Sequence, residues 1–263
     1  PLMRETYARL DAVGAVSERE RGALRELGVR DASIRVTGDA AFGQALARVA
    51  AARGTSPRLP PRREGAVRLV GGSTWPADEE VLVEAAAALG PRLELVLVPH
   101  EPSAETIERL VGLCRDRLGG EPRVLSRLAR EGPVGPGPLL VDATGLLAEL
   151  YVEADLALVG GAFDATGLHS VIEPAAAGLP VLFGPLHDRW EADDLLARGA
   201  AIALERPGAT AAIAALAGDP ERRAEMGAAA RRCVEEAPDA TSAGCRLIGE
   251  LLARGVSSRQ APP

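Results

Sequence analysis

From residue 67 onward the chain repeats one pattern: a short apolar run, a polar or glycine-rich stretch, then a segment with helical spacing. The apolar runs fall at 67–70, 93–98, 123–125, 139–141, 155–159, 180–183 and 200–204. Helical spacing fills most of the intervals, at 77–89, 104–118, 146–153, 169–177 and 191–198. Short buried strands alternating with helices predict βαβ units and a parallel sheet, and right-handed crossovers put helices on both of its faces. The expected class is therefore α/β, a Rossmann-like parallel sheet. Aromatic residues make up only 3% of the chain, so the core must be aliphatic, as the layers of such a sheet require.

The flanks read differently. Residues 5–27 suggest a helix, a short strand and a second helix, with Ser17 as an N-cap and Gly28 as a stop. Residues 34–37 suggest one more short strand. Residues 53–65 hold three prolines and four arginines and read as a linker by composition. After 204 the pattern is helical, at 209–217, 220–236 and 241–253. The expected organisation is a short α/β remnant of a preceding domain at 1–52, the linker at 53–65, a ligand-binding domain at 66–256 and a disordered tail at 257–263.

Charge and composition exclude several functions. The formal charge is −7 with no block of basic residues, which argues against a nucleic-acid groove. No apolar run reaches the roughly 18 residues that span a bilayer, so the chain is expected to be soluble. Pro1 cannot be a translated start, which makes the chain processed, trimmed or a fragment. Cys114, Cys233 and Cys245 show no metal-ligand spacing and read as buried small hydrophobes in a reducing compartment.

In a doubly wound sheet the ligand lies beyond the carboxyl ends of the strands, so the residues just after each run carry the information. Gly71-Gly72-Ser73-Thr74 follows the first run. Glycines let a backbone approach a ligand, and N–H groups with two hydroxyls can cradle a phosphate; a tight turn with a Ser/Thr cap explains the same residues. The lysine of a P-loop is missing. Pro99-His100-Glu101-Pro102 places two ionisable side chains between prolines at the next strand end, suited to ligand contact or to a solvated loop. Asp142-Ala143-Thr144-Gly145 can touch a base edge or simply cap a helix.

The stretch from Gly160 to Pro174 is more specific. An apolar run enters Gly160-Gly161, a loop, Gly167, and then an expected helix whose first turns carry His169, Ser170 and Glu173. His169 and Glu173 would share one face. A helix N-terminus favours anions, and a carboxylate one turn in can accept ribose hydroxyls. Gly178 to His187 then forms a second glycine- and proline-marked strand.

Read together, GGSTW at 71–75, PHEP at 99–102, D-x-x-G at 142–145 and GGxxxxxGLHSxxEPAAAGLPVLFGP at 160–185 resemble the C-terminal domain of 3-deoxy-D-manno-octulosonic acid (Kdo) transferases, GT-B glycosyltransferases of lipopolysaccharide synthesis. The likeness runs from Ser17, through Val36-Thr37-Gly38-Asp39, to about Arg198. It implies a CMP-Kdo donor, with no metal or other cofactor. Ser73 and Thr74, beside Gly72, would hold the phosphate; His100, Glu101, Thr144 and Gly145 would line the cytidine. Gly161, Gly167, His169, Ser170 and Glu173 would form the ribose and phosphate side. The acceptor, lipid A precursor, and the membrane would meet the enzyme through an N-terminal domain at the cytoplasmic face of the inner membrane. That domain would also supply the catalytic base, so no catalytic residue is assigned here and the chain alone is expected to be inactive.

Two departures stand out. Many members carry Pro-Arg-His where this chain has Pro99-His100, so an arginine contact is absent or supplied elsewhere. Ser170 stands where asparagine is usual. The competing readings are a stand-alone nucleotide-binding module and a GT-B UDP-sugar transferase or epimerase.

Overall fold

A computed structural model describes residues 2–55, 59–131 and 137–259. Its contacts divide the chain into two compact units: Ala45–Glu235 forms one, and the residues before Ala45 join those after Glu235 in the other. The smaller unit opens with α1 (Leu2–Ala8), β1 (Val13–Ala15), α2 (Glu18–Glu26) and β2 (Ile34–Val36). Helix α3 (Ala40–Arg53) leads out of it. Strands β1 and β2 pair in parallel, and Ala15, Val29 and Ile34 form a small core with Tyr7, Val13 and Leu24 around it. Ser17 caps α2 as its sequence position predicts, its Oγ accepting from the Glu20 N–H at 3.2 Å.

The larger unit contains β3 (Val67–Thr74), α4 (Pro76–Leu89), β4 (Leu93–Pro99), α5 (Ala104–Leu118), β5 (Arg123–Val124), α6 (Leu125–Glu131), β6 (Leu139–Leu140) and α7 (Leu147–Val152). It continues with β7 (Leu156–Val159), α8 (Ile172–Ala177), β8 (Val181–Phe183), α9 (Trp190–Ala197), β9 (Ala201–Ala203), α10 (Arg206–Gly218) and α11 (Pro220–Glu235). The last helix, α12 (Ala240–Arg259), belongs to the smaller unit and extends three residues into the segment expected as a tail. The seven strands form one parallel sheet in the order β5-β6-β4-β3-β7-β8-β9. The sheet grows to one side through β4 and to the other through β7, so the topological switch point lies between β3 and β7.

Residues alternate across the sheet as strand geometry demands. Leu69, Leu95, Leu97, Leu156, Leu158 and Leu182 face one core with Leu82, Leu110, Ile213 and Leu216. The intervening Val70, Val96, Ala157 and Val181 are equally buried. Helix α4 packs with α5 and α10, and α8 packs with α7 and α11. Both faces of the central strands are thus covered, which is why they read as continuous apolar runs rather than as alternating ones. Cys114 lies in the first core, where burial pushes its thiol up to about 12, and Cys233 is also buried. Cys245 is exposed on α12, which corrects its expected place in the core.

The segment read as a linker is held at its end. Among residues 59–65, Leu59 N–H donates to the Glu153 carboxylate, and Arg62 reaches both oxygens of Asp155. Arg63 uses its backbone N–H, at 2.6 Å, and its guanidinium on Glu94. Arg62 and Arg63 therefore lie on carboxylates at the β4 and β7 starts instead of in free solvent. Residues 56–58 lie outside the described residues.

Candidate functional site

The first glycine pair does not end its strand. Gly71 and Gly72 continue β3, paired on one side with Leu97 and Val98 and on the other with Leu158 and Val159. Their role is steric: a β-carbon on Gly72 would strike the hydroxyl of Tyr151, a fully buried side chain of α7. The ladder is irregular between Gly72 and Thr74, where Ser73 takes φ +52. A left-handed serine at a strand end is uncommon and marks a locally strained turn. It turns the chain so that α4 starts at Pro76.

Thr74, expected at the phosphate, is engaged within the protein. Its side chain is buried, and its hydroxyl donates to Glu79 Oε1 at 3.2 Å. Glu79 in turn pairs with Arg109, 2.7 Å from Oε2. Of the two hydroxyls assigned to a phosphate, only that of Ser73 keeps partial exposure.

Asp78 joins the two glycine-rich segments. It is buried in the first turn of α4, and its Oδ2 accepts the N–H groups of Trp75 at 2.8 Å and Gly161 at 2.9 Å. Burial pushes this carboxyl up, while those two backbone bonds pull it down; the net direction is upward. Gly160 packs so closely on this turn that a β-carbon would sit 2.7 Å from Thr74 Cα and 2.8 Å from Asp78 Oδ2. Gly161, at φ +96, would collide with the Gly167 carbonyl, and His169 N–H closes the loop on Gly160 O at 3.1 Å. The glycines at 160, 161 and 167 thus make a compact loop on α4. The helical run expected at 77–89 contains Asp78 without singling it out; its signal was the third position after the Trp75 N-cap, where a carboxylate reaches back to the cap N–H.

His100 and His169 come together through Trp75. The Trp75 Nε1–H lies 3.0 Å from His169 Nε2, with the two rings within 7° of parallel. His100 stacks on both, at 4.9 Å from the indole and 4.4 Å from the imidazole, and its backbone N–H donates to Thr74 O. Burial, then His100 and Arg189, push His169 down, favouring the neutral ring. Trp75 appeared in the motif but was not foreseen as a site residue, because nothing local links it to side chains 25 and 94 residues away.

The expected helix at 169–177 is shorter. Helix α8 begins at Ile172, so His169 and Ser170 lie in the preceding loop, and His169 and Glu173 do not share a helix face. Tight packing of residues 160–169 into that loop leaves no room for an earlier start. Ser170 is exposed, with its Oγ 3.4 Å from Ile172 N. Glu173 is in the first turn, paired with Arg48 at 2.5 Å, so its carboxylate already has a cationic partner. It also lies near Tyr151, whose hydroxyl burial and then Glu173 push up. Thr144 and Gly145 are exposed in the turn before α7, and Glu101 is exposed ahead of α5. Among the described residues no hydrogen bond or ion pair ties these three to the cluster. Asp142 accepts from Ser126 N–H and Oγ instead of capping α7.

No protein-family model matches the chain. It is 32% identical over 250 residues to the 3-deoxy-D-manno-octulosonic acid transferase of Bordetella pertussis, covering 87% of this chain and 54% of that protein. It is 34% identical over 161 residues to the enzyme of the same name from Chlamydophila psittaci, covering 59% of this chain and 36% of that one. The chain thus spans about a third to a half of the length of these curated relatives. In fold it is similar to the crystal structure of the C-terminal CMP-Kdo binding domain of WaaA from Acinetobacter baumannii, with TM-score 0.57 at 19% identity, over 73% of this chain and 98% of that domain. The sequence matches and the seven-stranded sheet agree that, over the residues it spans, the chain is similar to the 3-deoxy-D-manno-octulosonic acid transferases.

Proposed function

We propose that this chain binds CMP-Kdo and forms the donor half of a glycosyltransferase that passes Kdo to lipid A precursor. The observation that carries the reading is the convergence at the switch point. The strained Ser73 turn at the end of β3 and the three-glycine loop after β7 are bound together by Asp78, with two histidines beside them. Glycines there, lacking side chains, let the backbone approach a ligand closely, as the binding of a nucleotide at a switch point requires. Residues 66–256 form the donor domain in this reading, 53–65 the linker and 1–52 the tail of an acceptor domain. That acceptor domain brings the catalytic base and the contact with the cytoplasmic face of the inner membrane. Among the described residues no helix is long and apolar enough to cross a membrane.

Calorimetry with CMP and UMP tests the donor class. The chain is expected to bind CMP more tightly, and equal affinity would favour a UDP-sugar enzyme or epimerase on the same fold. Glu173 supplies a second test. In this reading its carboxylate accepts ribose hydroxyls while keeping Arg48 at its side. Hydrogen bonds to a charged group are worth about 1.5–3 kcal/mol each, so Glu173→Gln should weaken CMP binding by about tenfold or more. The Arg48 side chain is 52% exposed, and such a pair contributes only about 0–1 kcal/mol to stability; the melting temperature should therefore barely move. Lost stability with unchanged affinity would remove Glu173 from the site.

A further inference from the structure

A charged hydrogen-bond donor strengthens the binding of a nucleotide phosphate, and the residues expected from the sequence do not supply one. His169 is held neutral, and the Thr74 hydroxyl is committed to Glu79. The arginines of neighbouring elements are also engaged: Arg48 with Glu173, Arg109 with Glu79, and Arg206 with Glu80 and the Ala77 carbonyl. Arg189 is placed otherwise. Its Nε donates to the Leu168 carbonyl at 2.6 Å, which fixes the guanidinium one residue from His169. The Glu191 carboxylate stands 3.7 Å from Nη1, beyond hydrogen-bond distance, and the side chain is 41% exposed. Nη1 is thus held by a long ion pair to Glu191, and among the described residues no hydrogen bond occupies the terminal nitrogens, which a ligand beside the loop can engage.

His169 has a defined orientation. Its Nε2 accepts the Trp75 N–H, which leaves the proton of a neutral imidazole on Nδ1. Its Cδ2 edge faces Gly161, 3.5 Å from the position of a β-carbon there, so Nδ1 lies on the opposite edge of the ring. We propose that Arg189 and the Nδ1–H of His169 together hold the phosphate of a nucleotide, and that Trp75 is the positioning residue that fixes the His169 tautomer. The inference rests on the nucleotide reading and adds the groups that carry its charge recognition.

The test pairs CMP with cytidine, which shares the base and ribose but lacks the phosphate. Arg189→Gln is expected to weaken CMP binding about ten- to a hundredfold, as the loss of a hydrogen bond between charged groups does, and to change cytidine binding less than twofold. Equal loss for both ligands, or unchanged CMP affinity, overturns the assignment of Arg189. Nitrogen-15 imidazole spectra of the ligand-free chain test Trp75. The parent should show His169 protonated at Nδ1, and Trp75→Phe, which keeps a ring but loses the donor, should give mixed tautomers and a few-fold loss of CMP affinity. A parent spectrum protonated at Nε2 overturns the positioning role, whatever the affinities. If the parent binds neither CMP nor cytidine, the nucleotide reading itself fails and this inference falls with it. If CMP binds and Arg189→Gln is silent, only the inference falls.

Discussion

Gly161→Ala is expected to lower the unfolding free energy by about 3 kcal/mol or more, with Gly167→Ala costing only about 1 kcal/mol. Both residues have positive φ, +96 and +100, which an alanine adopts only under strain. They differ in what surrounds them. A β-carbon on Gly161 would run into the Gly167 carbonyl, whereas one on Gly167 meets nothing within 4 Å. The collision cannot be relieved cheaply, because Gly161 N–H is fixed to Asp78 and the loop is closed by His169 N–H on Gly160 O. The variant must either break the Asp78 bond, leaving a buried carboxylate short of a donor, or displace the 160–169 loop. Denaturant unfolding of the two variants beside the parent checks the difference. Equal losses would mean that the loop yields and that φ strain alone governs both sites. In the proposed function Gly161→Ala also misplaces His169, so its CMP affinity should fall further than that of Gly167→Ala.

The element order was legible in the sequence because apolar periodicity is local, and the central strands are buried on both faces. Element ends were less legible. Strand β3 runs four residues past its apolar run, since pairing with β4 on one side and β7 on the other outweighs the poor strand propensity of Gly71 and Gly72. Helix α8 starts three residues late, because His169 is spent on closing the glycine loop. The segment 59–65 has the composition of a solvated linker, yet its partners Glu94, Glu153 and Asp155 lie about thirty to ninety residues away. No local pattern announces such pairs. For the site, the glycine spacing carried real information about backbone packing. The committed state of Thr74, the Arg48 pair on Glu173 and the Trp75 bond to His169 all depend on side chains from separate elements, so only the assembled sheet reveals them.

Glu94→Leu should be the second severe variant, destabilising by about 3–5 kcal/mol. Glu94 is the second residue of β4, its side chain is 8% exposed, and it gathers four donor groups, the longest being the Arg63 Nε at 3.4 Å. Arg68, 6% exposed, donates to the single oxygen Oε2 through both Nε at 3.0 Å and Nη2 at 2.9 Å, two charge-assisted hydrogen bonds. The Arg63 backbone N–H takes Oε1 at 2.6 Å. Without the carboxylate, Arg68 is left buried with the Pro60 carbonyl at 2.7 Å and the Glu153 carboxylate 3.8 Å away, and the end of the linker loses its anchor. Removing one partner of a buried pair costs more than the pair contributes, because the remaining charge has no water to turn to. Glu94→Gln keeps the shape and part of the hydrogen bonding, so it should cost less. The pH dependence separates charge from packing. Burial pushes the Glu94 carboxyl up, but the Arg63 N–H and then the Arg68 guanidinium outweigh it, and the net direction is downward. A carboxyl lowered in the folded state adds stability that is fully present above the ordinary glutamate pKa of about 4.3 and is lost as pH falls through the folded value. The gap between the parent and Glu94→Gln should therefore be constant near neutrality and close only below about pH 4. Denaturant unfolding from pH 7 to pH 3 measures it. A gap that persists unchanged to pH 3 would assign the effect to shape and hydrogen bonding rather than to the charge on Glu94.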